Sequence, residues 1–476
     1  MSRSALTVSL DQGGHSSRAI VFDECGRVVA AAHRAVEEQR LATDRVEQDP
    51  EALALSLREC LDEVCLDLGS SAENITKIGL ATQRSSIVCW SANDGHALSP
   101  VLSWQDRRAA AWLSRFEREA ERVREITGLF LSPHYGVSKM AWCLSELSEV
   151  QAARETGELR IGPLASFLAM QLLGTTQAPV DPCNAGRTLL FDLKALDWSD
   201  ELLSLFDIPR EILPSCKPTR SEFGEVKTPV GNRPLAILSG DQPAALYAHG
   251  APEEGAIHVN LGTGAFVLRP LSRTVPAPAR LLTSVSCSDR AHARYVVEGT
   301  VNGAASALDW AAQELGVDEW EKSLDAWLAA ESAPPLFLNG VGGLGSPFWV
   351  PNLESRWVGE GNLAAKMTAV AESVLFLVKR NIDEMGSLEP QAESLRVTGG
   401  LSNSDELCAR LAKLSGLRVE RPVVREATAR GTAFWLTGEP QNWPALGEPT
   451  VFEAARDTAL NERYERWLAA LEVAIA

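Results

Sequence analysis

The sequence predicts an α/β protein built as two related lobes facing each other across a cleft. Three observations predict it. At 476 residues the chain exceeds the size at which a single core keeps growing. Its first hundred residues pass from short β-branched runs to a stretch of helical period. The strand–turn–strand design with which it opens returns past its middle.

The opening runs "LTVSL", "RAIVF" and "GRVVAAAHRAV" read as a meander of hairpins. Their first junction, "SLDQGGHSSRAIVF", carries Asp11, Gly13, Gly14, His15, Ser16, Ser17 and Arg18. Paired glycines let backbone N–H groups approach an anion, and the hydroxyls and arginine add donors, so this turn suits a phosphate. A plain hairpin turn is the other reading. "DPEALALSLRECLDEVCLDLG" then predicts a helix capped by Asp49, with Pro50 at its first position. "ITKIGLATQRSSIVCW" predicts two strands around Gln83, Arg84, Ser85 and Ser86, a polar strand end of the kind that faces ligands in α/β folds.

In "LAILSGDQPAALYAHG" a strand ends at Gly240, and Asp241 and Gln242 open a helix. A carboxylate there is either a reacting group or a cap. "YAHGAPEEGA" is a natural boundary, dividing the chain into residues 1–250 and 251–476. The second part opens with "GAIHVNLGTGAFVLRPL", two apolar runs around Gly262, Thr263 and Gly264. "SLRVTGGLSNSDELCARLAKLSG" follows later as a strand, a Gly399-Gly400 turn and a helix with Asn403 or Ser404 near its start.

A net charge of −18 without a lysine or arginine run argues against nucleic-acid and anionic-membrane partners. A phosphate-bearing ligand must therefore be held locally, against the overall field. No apolar stretch suits a signal peptide or a bilayer span, so a cytoplasmic protein is expected. The nine cysteines are scattered, odd in number and without a CxxC pair, which predicts free thiols rather than disulfides or structural zinc.

Taken in order, "LDQGGHSSRA", "GLATQRSSIVCW", "SWQDRRAA", "SGDQPAAL", "NLGTGAFVL", "EGTVNGAASALDW", "GGLGSPFW", "VTGGLSNSDEL" and "RVERPVVREATARGTAFW" resemble the FGGY carbohydrate kinases, and within them the glycerol kinase branch. The resemblance runs from about Asp11 to about Trp435. It implies the two-lobed actin-like fold of sugar kinases, heat-shock ATPases and actin, with polyol or sugar held mainly by residues 1–250 and nucleotide mainly by 251–476. It also implies phosphoryl transfer from ATP with Mg2+, which requires a base at the attacking hydroxyl, neutralised phosphates and in-line alignment.

By that resemblance Asp241 is the catalytic base, and Asp11 and Asp241 face the magnesium. Gly13, Gly14, His15, Ser16 and Arg18 form the first phosphate turn, and Gly262, Thr263 and Gly264 the second. Gly399, Gly400 and Asn403 take the adenosine. Arg84, Ser85, Trp104, His134, Asp241, Gln242 and Phe266 surround the acceptor, with Trp104 and Phe266 on its C–H face. A homodimer is also implied.

The chain departs from the glycerol kinase pattern at three places. Ser85 stands where a glutamate follows the arginine, His134 where a tyrosine stands (adjacent Tyr135 being one residue away), and Gly14-His15 where threonines are paired. The loss of that glutamate enlarges the pocket and leaves Arg84 with less countercharge, which favours a longer polyol, a ketose or a sugar acid as the alternative acceptor. A non-catalytic ligand sensor on the same scaffold is a second alternative. His15 would donate to a phosphate in place of a threonine hydroxyl, best when protonated. His15→Thr is therefore expected to flatten the pH dependence of activity and leave activity near neutrality.

Overall fold

The computed structural model describes residues 5–271, 273, 280–331, 333–423 and 426–476. The chain packs as two units. The first is Met1–Pro252 with Ser284–Tyr295 and Arg425–Pro444, and the second is Glu253–Thr283, Val296–Val424 and Ala445–Ala476. These packing units differ from a single cut after residue 250, because two short segments from the later half of the chain belong to the first unit. Local sequence signals mark turns, not the long-range packing that decides such membership.

In the first unit, Leu6–Gln12, Ser16–Phe22 and Val28–Ala35 form the expected antiparallel meander. Leu6–Gln12 also pairs in parallel with Ile75–Thr82, which pairs in parallel with Gly231–Gly240. The strand ends Gln12, Thr82 and Gly240 thus lie in register on neighbouring strands. The helix Pro50–Asp67 begins as its sequence requires: Asp49 accepts the N–H groups of Glu51 and Ala52, and Pro50 occupies the first turn. Its buried face, including Leu53, Leu57, Leu61 and Val64, joins the core beneath the sheet.

In the second unit, Ala256–Leu261 pairs antiparallel with Ala265–Leu271 and parallel with Ser394–Thr398. After Ser394–Thr398 the chain makes the glycine turn and enters the helix Asp405–Ser415. Of the two expected caps Ser404 takes the role, its hydroxyl accepting the N–H of Leu407 at 3.1 Å. All nine cysteines are free, and only Cys25 is fully exposed. Among the described residues no helix is long and apolar enough to cross a membrane.

Candidate active site

Asp241 begins the short helix Asp241–Ala245 where the strand Gly231–Gly240 ends. It is not the cap that a structural reading allowed, since the N-cap is Gly240. Its Oδ1 accepts the N–H of Gln242 at 2.7 Å and lies 3.9 Å from Arg84 Nε. Although 32% of the side chain meets solvent, the surrounding protein pushes its pKa up, opposed chiefly by Arg84. Gly240 is required here, because a Cβ would stand 2.5 Å from Arg84 Cδ and 2.6 Å from Cγ. The guanidinium stem crosses the strand end where only a hydrogen leaves room.

Asp11 is buried on the opening strand. Its pKa is pushed up to about 7, first by burial, then by the Asp241 carboxylate, with Arg18 pulling the other way and Glu426 adding to the rise. Arg18 Nη1 is 3.9 Å from Asp11 and donates to Glu426 at 2.8 Å. Three carboxylates thus share a neighbourhood in which Arg18 leans toward Glu426. Among the described residues no cluster of three or more His, Cys, Asp or Glu forms a ready-made metal site.

The turn between the first two strands closes with Gly13 N–H on Ser16 O at 2.9 Å. Neither Gly13 nor Gly14 needs a left-handed backbone, and a Cβ on each would meet its nearest neighbour only at 3.6 and 3.8 Å. The pair leaves the turn bare without being forced by strain. His15 is exposed, and its carbonyl accepts the N–H of Val36.

Ser85 follows Arg84 with φ of 66°, an uncommon value for a residue with a Cβ. Its hydroxyl is buried and without a hydrogen-bond partner among the described residues. Trp104, 37% exposed, presents its ring edge-on to His134 at 5.8 Å. His134 is half-buried, and its Nδ1 lies 3.4 Å from Arg107 Nη2. Burial, followed by Arg107, Lys139, Arg187 and Arg84, pushes its pKa well below the usual imidazole value, so the ring is neutral. Tyr135 packs behind it, buried, with its ring nearly perpendicular at 5.1 Å.

The first unit therefore brings Asp11, Arg18, Arg84, Ser85, Trp104, His134, Asp241 and Gln242 into one group. Phe266 is not part of that unit: it lies half-buried on the strand Ala265–Leu271 of the second. There the Gly262–Gly264 turn abuts the start of the helix Ala305–Leu315. Ala304 and Ser306 donate their N–H groups to Thr263 O at 3.0 and 3.1 Å, and Ala305 donates to Gly262 O at 3.0 Å. A Cβ at Gly264 would stand 2.8 Å from Val301 O. Gly399, with φ of 94°, crosses the end of the neighbouring strand so closely that a Cβ would stand 2.5 Å from Leu261 O. The Gly262–Gly264 and Gly399–Gly400 turns are thus at adjacent strand ends, with Gly400 and Asn403 exposed on the second.

Sequence reasoning missed four residues of the first unit's group: Arg107, Lys139, Arg187 and Glu426. Arg107 lies in "SWQDRRAA" and Glu426 in "RVERPVVREATARGTAFW", so the signal that could have found them was present in the motifs. Lys139 is buried, and its ammonium donates to the carbonyls of Pro133, His134 and Tyr135 at 3.2, 2.6 and 3.4 Å. Burial and Arg107 push its pKa well below the ordinary lysine value.

Profiles of both halves of one family match the chain. The N-terminal domain of the FGGY family of carbohydrate kinases matches residues 6–245, and its C-terminal domain residues 257–436. A glycerol kinase of Bordetella parapertussis is 33% identical over 498 residues, covering 99% of this chain and 98% of that one. Glycerol kinase 2 of Pseudomonas aeruginosa is 30% identical over 485 residues, covering 98% and 96%. Among solved structures, Plasmodium falciparum glycerol kinase with ADP superposes with a TM-score of 0.90 at 22% identity over 99% of each chain. A gluconate kinase from Lactobacillus acidophilus gives 0.86 at 18% identity, over 99% of this chain and 97% of that one. The last two likenesses speak to fold.

Proposed function

The chain belongs to the FGGY family of carbohydrate kinases, and we propose that Asp241 is the base of its reaction, with Asp11 and Asp241 the protein's side of a magnesium site. As a member of that family it is an ATP-dependent kinase acting on a small polyol or sugar, with the actin-like α/β fold. The observation that carries the residue assignment is the setting of Asp241, a partly open carboxylate at a strand end, oriented by Gln242 N–H and Arg84.

In the reaction an acceptor hydroxyl oxygen bonds the γ-phosphorus, the bond to the β-bridging oxygen breaks, and ADP leaves. Asp241 receives the hydroxyl proton. Arg84, Trp104, His134 and Gln242 hold the acceptor, Trp104 against its C–H face, and Ser85 lies beside them. The backbone of the Gly262–Gly264 turn binds the terminal phosphates, Phe266 belongs to the acceptor set, and Gly399, Gly400 and Asn403 receive the adenosine. Gly13, Gly14, His15, Ser16 and Arg18 supply donors from the first turn.

The residues fit a magnesium ion. Asp11 is crowded by burial and by a second carboxylate, a strain that a divalent cation relieves. Mg2+ characteristically takes one or two carboxylates together with substrate phosphate oxygens. When bound it neutralises charge on the phosphates. The relatives named glycerol kinase support glycerol or a close polyol as the acceptor core, over a ketose. Nine free thiols support a cytoplasmic location.

The test is ADP release measured with glycerol and with four- to six-carbon polyols. Release that rises with acceptor and requires Mg2+ is expected. Acceptor-independent release would contradict this reading.

A further inference from the structure

The register of the first sheet gives Arg18 a natural partner. Leu6–Gln12 and Ser16–Phe22 run antiparallel with Asp11 directly opposite Arg18, the placement in which opposite charges on neighbouring strands meet. Yet Arg18 Nη1 stays 3.9 Å from Asp11 Oδ2 and donates instead to Glu426 Oε2 at 2.8 Å, from the far end of the chain. Arg18 makes no other hydrogen bond among the described residues, so its remaining N–H groups are open to a ligand.

Glu426 departs in two ways from what a local role asks of it. It stands at the N-cap of the helix Ala427–Leu436, where an acidic side chain ordinarily accepts a helix N–H, but its carboxylate makes no capping bond. Its φ of 54° is left-handed, a conformation that a residue with a Cβ keeps only where its surroundings impose it. Those surroundings are tied to both proposed magnesium carboxylates. Ser9 Oγ, two residues before Asp11, donates to Ala429 O at 2.7 Å, and Thr428 Oγ1 donates to Asp241 O at 3.3 Å. As a stabilising contact the Arg18–Glu426 pair counts for little, its side chains being 40% and 36% exposed. Its consequence is where the arginine charge sits.

Resting on the reading of Asp11 as part of a magnesium site, we propose that Glu426 is a positioning residue that draws Arg18 off Asp11 and so leaves that carboxylate unneutralised for the metal. Glu426 acts through Arg18 and touches neither metal nor acceptor. Without it, Arg18 closes on its cross-strand partner and competes with the cation for the same carboxylate.

Binding of Mn2+ to the full chain at saturating ADP, followed by electron paramagnetic resonance with Mn2+ as the probe for Mg2+, tests this in a double-mutant cycle. Glu426→Gln is expected to weaken Mn2+ binding at least five-fold. In an Arg18→Gln background the same substitution is expected to change it less than two-fold, since the competing guanidinium is gone. Glu426→Asp, which keeps the charge, is expected to recover part of the loss. In acceptor-dependent ADP release, Glu426→Gln is expected to raise the half-saturating Mg2+ concentration at least five-fold while the KM for glycerol stays within two-fold. The proposal is overturned if Glu426→Gln binds Mn2+ within two-fold of wild type. It is equally overturned if the loss is as large in the Arg18→Gln background, which would place Glu426 at the metal itself. Asp11→Asn separates the two readings. It is expected to weaken Mn2+ binding ten-fold or more; wild-type binding by Asp11→Asn overturns the magnesium-site reading and the proposal with it, whereas a loss there with none in Glu426→Gln overturns the proposal alone.

Discussion

Lys139 is a buried residue placed to hold His134, one of the residues proposed to receive the acceptor. Three carbonyls of the turn 133–135 converge on its ammonium, and His134 is carried on that turn. Lys139→Met removes the tie while keeping an unbranched apolar stem. The acceptor KM is expected to rise about ten-fold or more, since small misplacements near a reacting centre are costly. ADP affinity is expected to stay within two-fold. A variant with lower melting temperature and unchanged KM would assign Lys139 a purely structural role. Arg84, Trp104 and Asp241 were legible because they sit at strand ends in distinctive motifs. Lys139 was not: a lysine in the first turn of a helix reads as solvated, and only the fold shows that Gly136–Glu146 buries it.

At the scale of elements, the helix Ala427–Leu436 packs against the helix Asp241–Ala245 through Gly431, where a Cβ would fall on the carbonyl of Ala244. Gly431→Ala is expected to cost about 1–3 kcal/mol, the usual range for overpacking, and to lower kcat by shifting Asp241. Urea unfolding and steady-state rates read both effects. Asp181, buried at the start of Pro182–Ala185, accepts from Cys183 N–H and Asn184 Nδ2 at 2.8 and 2.7 Å. Burial nonetheless pushes its pKa from 3.8 up to about 6.

The folded chain thus binds this proton more tightly than the unfolded chain. Asp181 stabilises least above pH 6, and its contribution grows as pH falls from 6 toward 4. The stability of wild type relative to Asp181→Asn is expected to improve by roughly 2 kcal/mol between pH 6.5 and 4.5, read from urea unfolding at those two values. The hairpins and the Asp49 cap were readable because their determinants are local. The return of Arg425–Pro444 to the first unit was not, because it depends on contacts such as Ser9 Oγ to Ala429 O at 2.7 Å, 420 residues apart.

For the molecule as a whole, the order of motifs carried the family, and the two-unit α/β architecture followed from it. What the order did not carry was the placement of charge: a sum of −18 coexists with Arg107 and Lys139 packed beside His134, which only the fold reveals. Asp241 is the residue on which the functional reading converges, and Asp241→Asn keeps its size and removes the proposed base. The decisive measurement is acceptor-dependent ADP release by the wild-type chain and by Asp241→Asn at saturating Mg-ATP, with nucleotide binding and melting temperature followed in parallel. The expected result is a fall in kcat of about 10²–10⁴-fold with binding and melting unchanged. Acceptor-dependent release that persists at wild-type rate in a folded, nucleotide-binding Asp241→Asn would contradict the assignment.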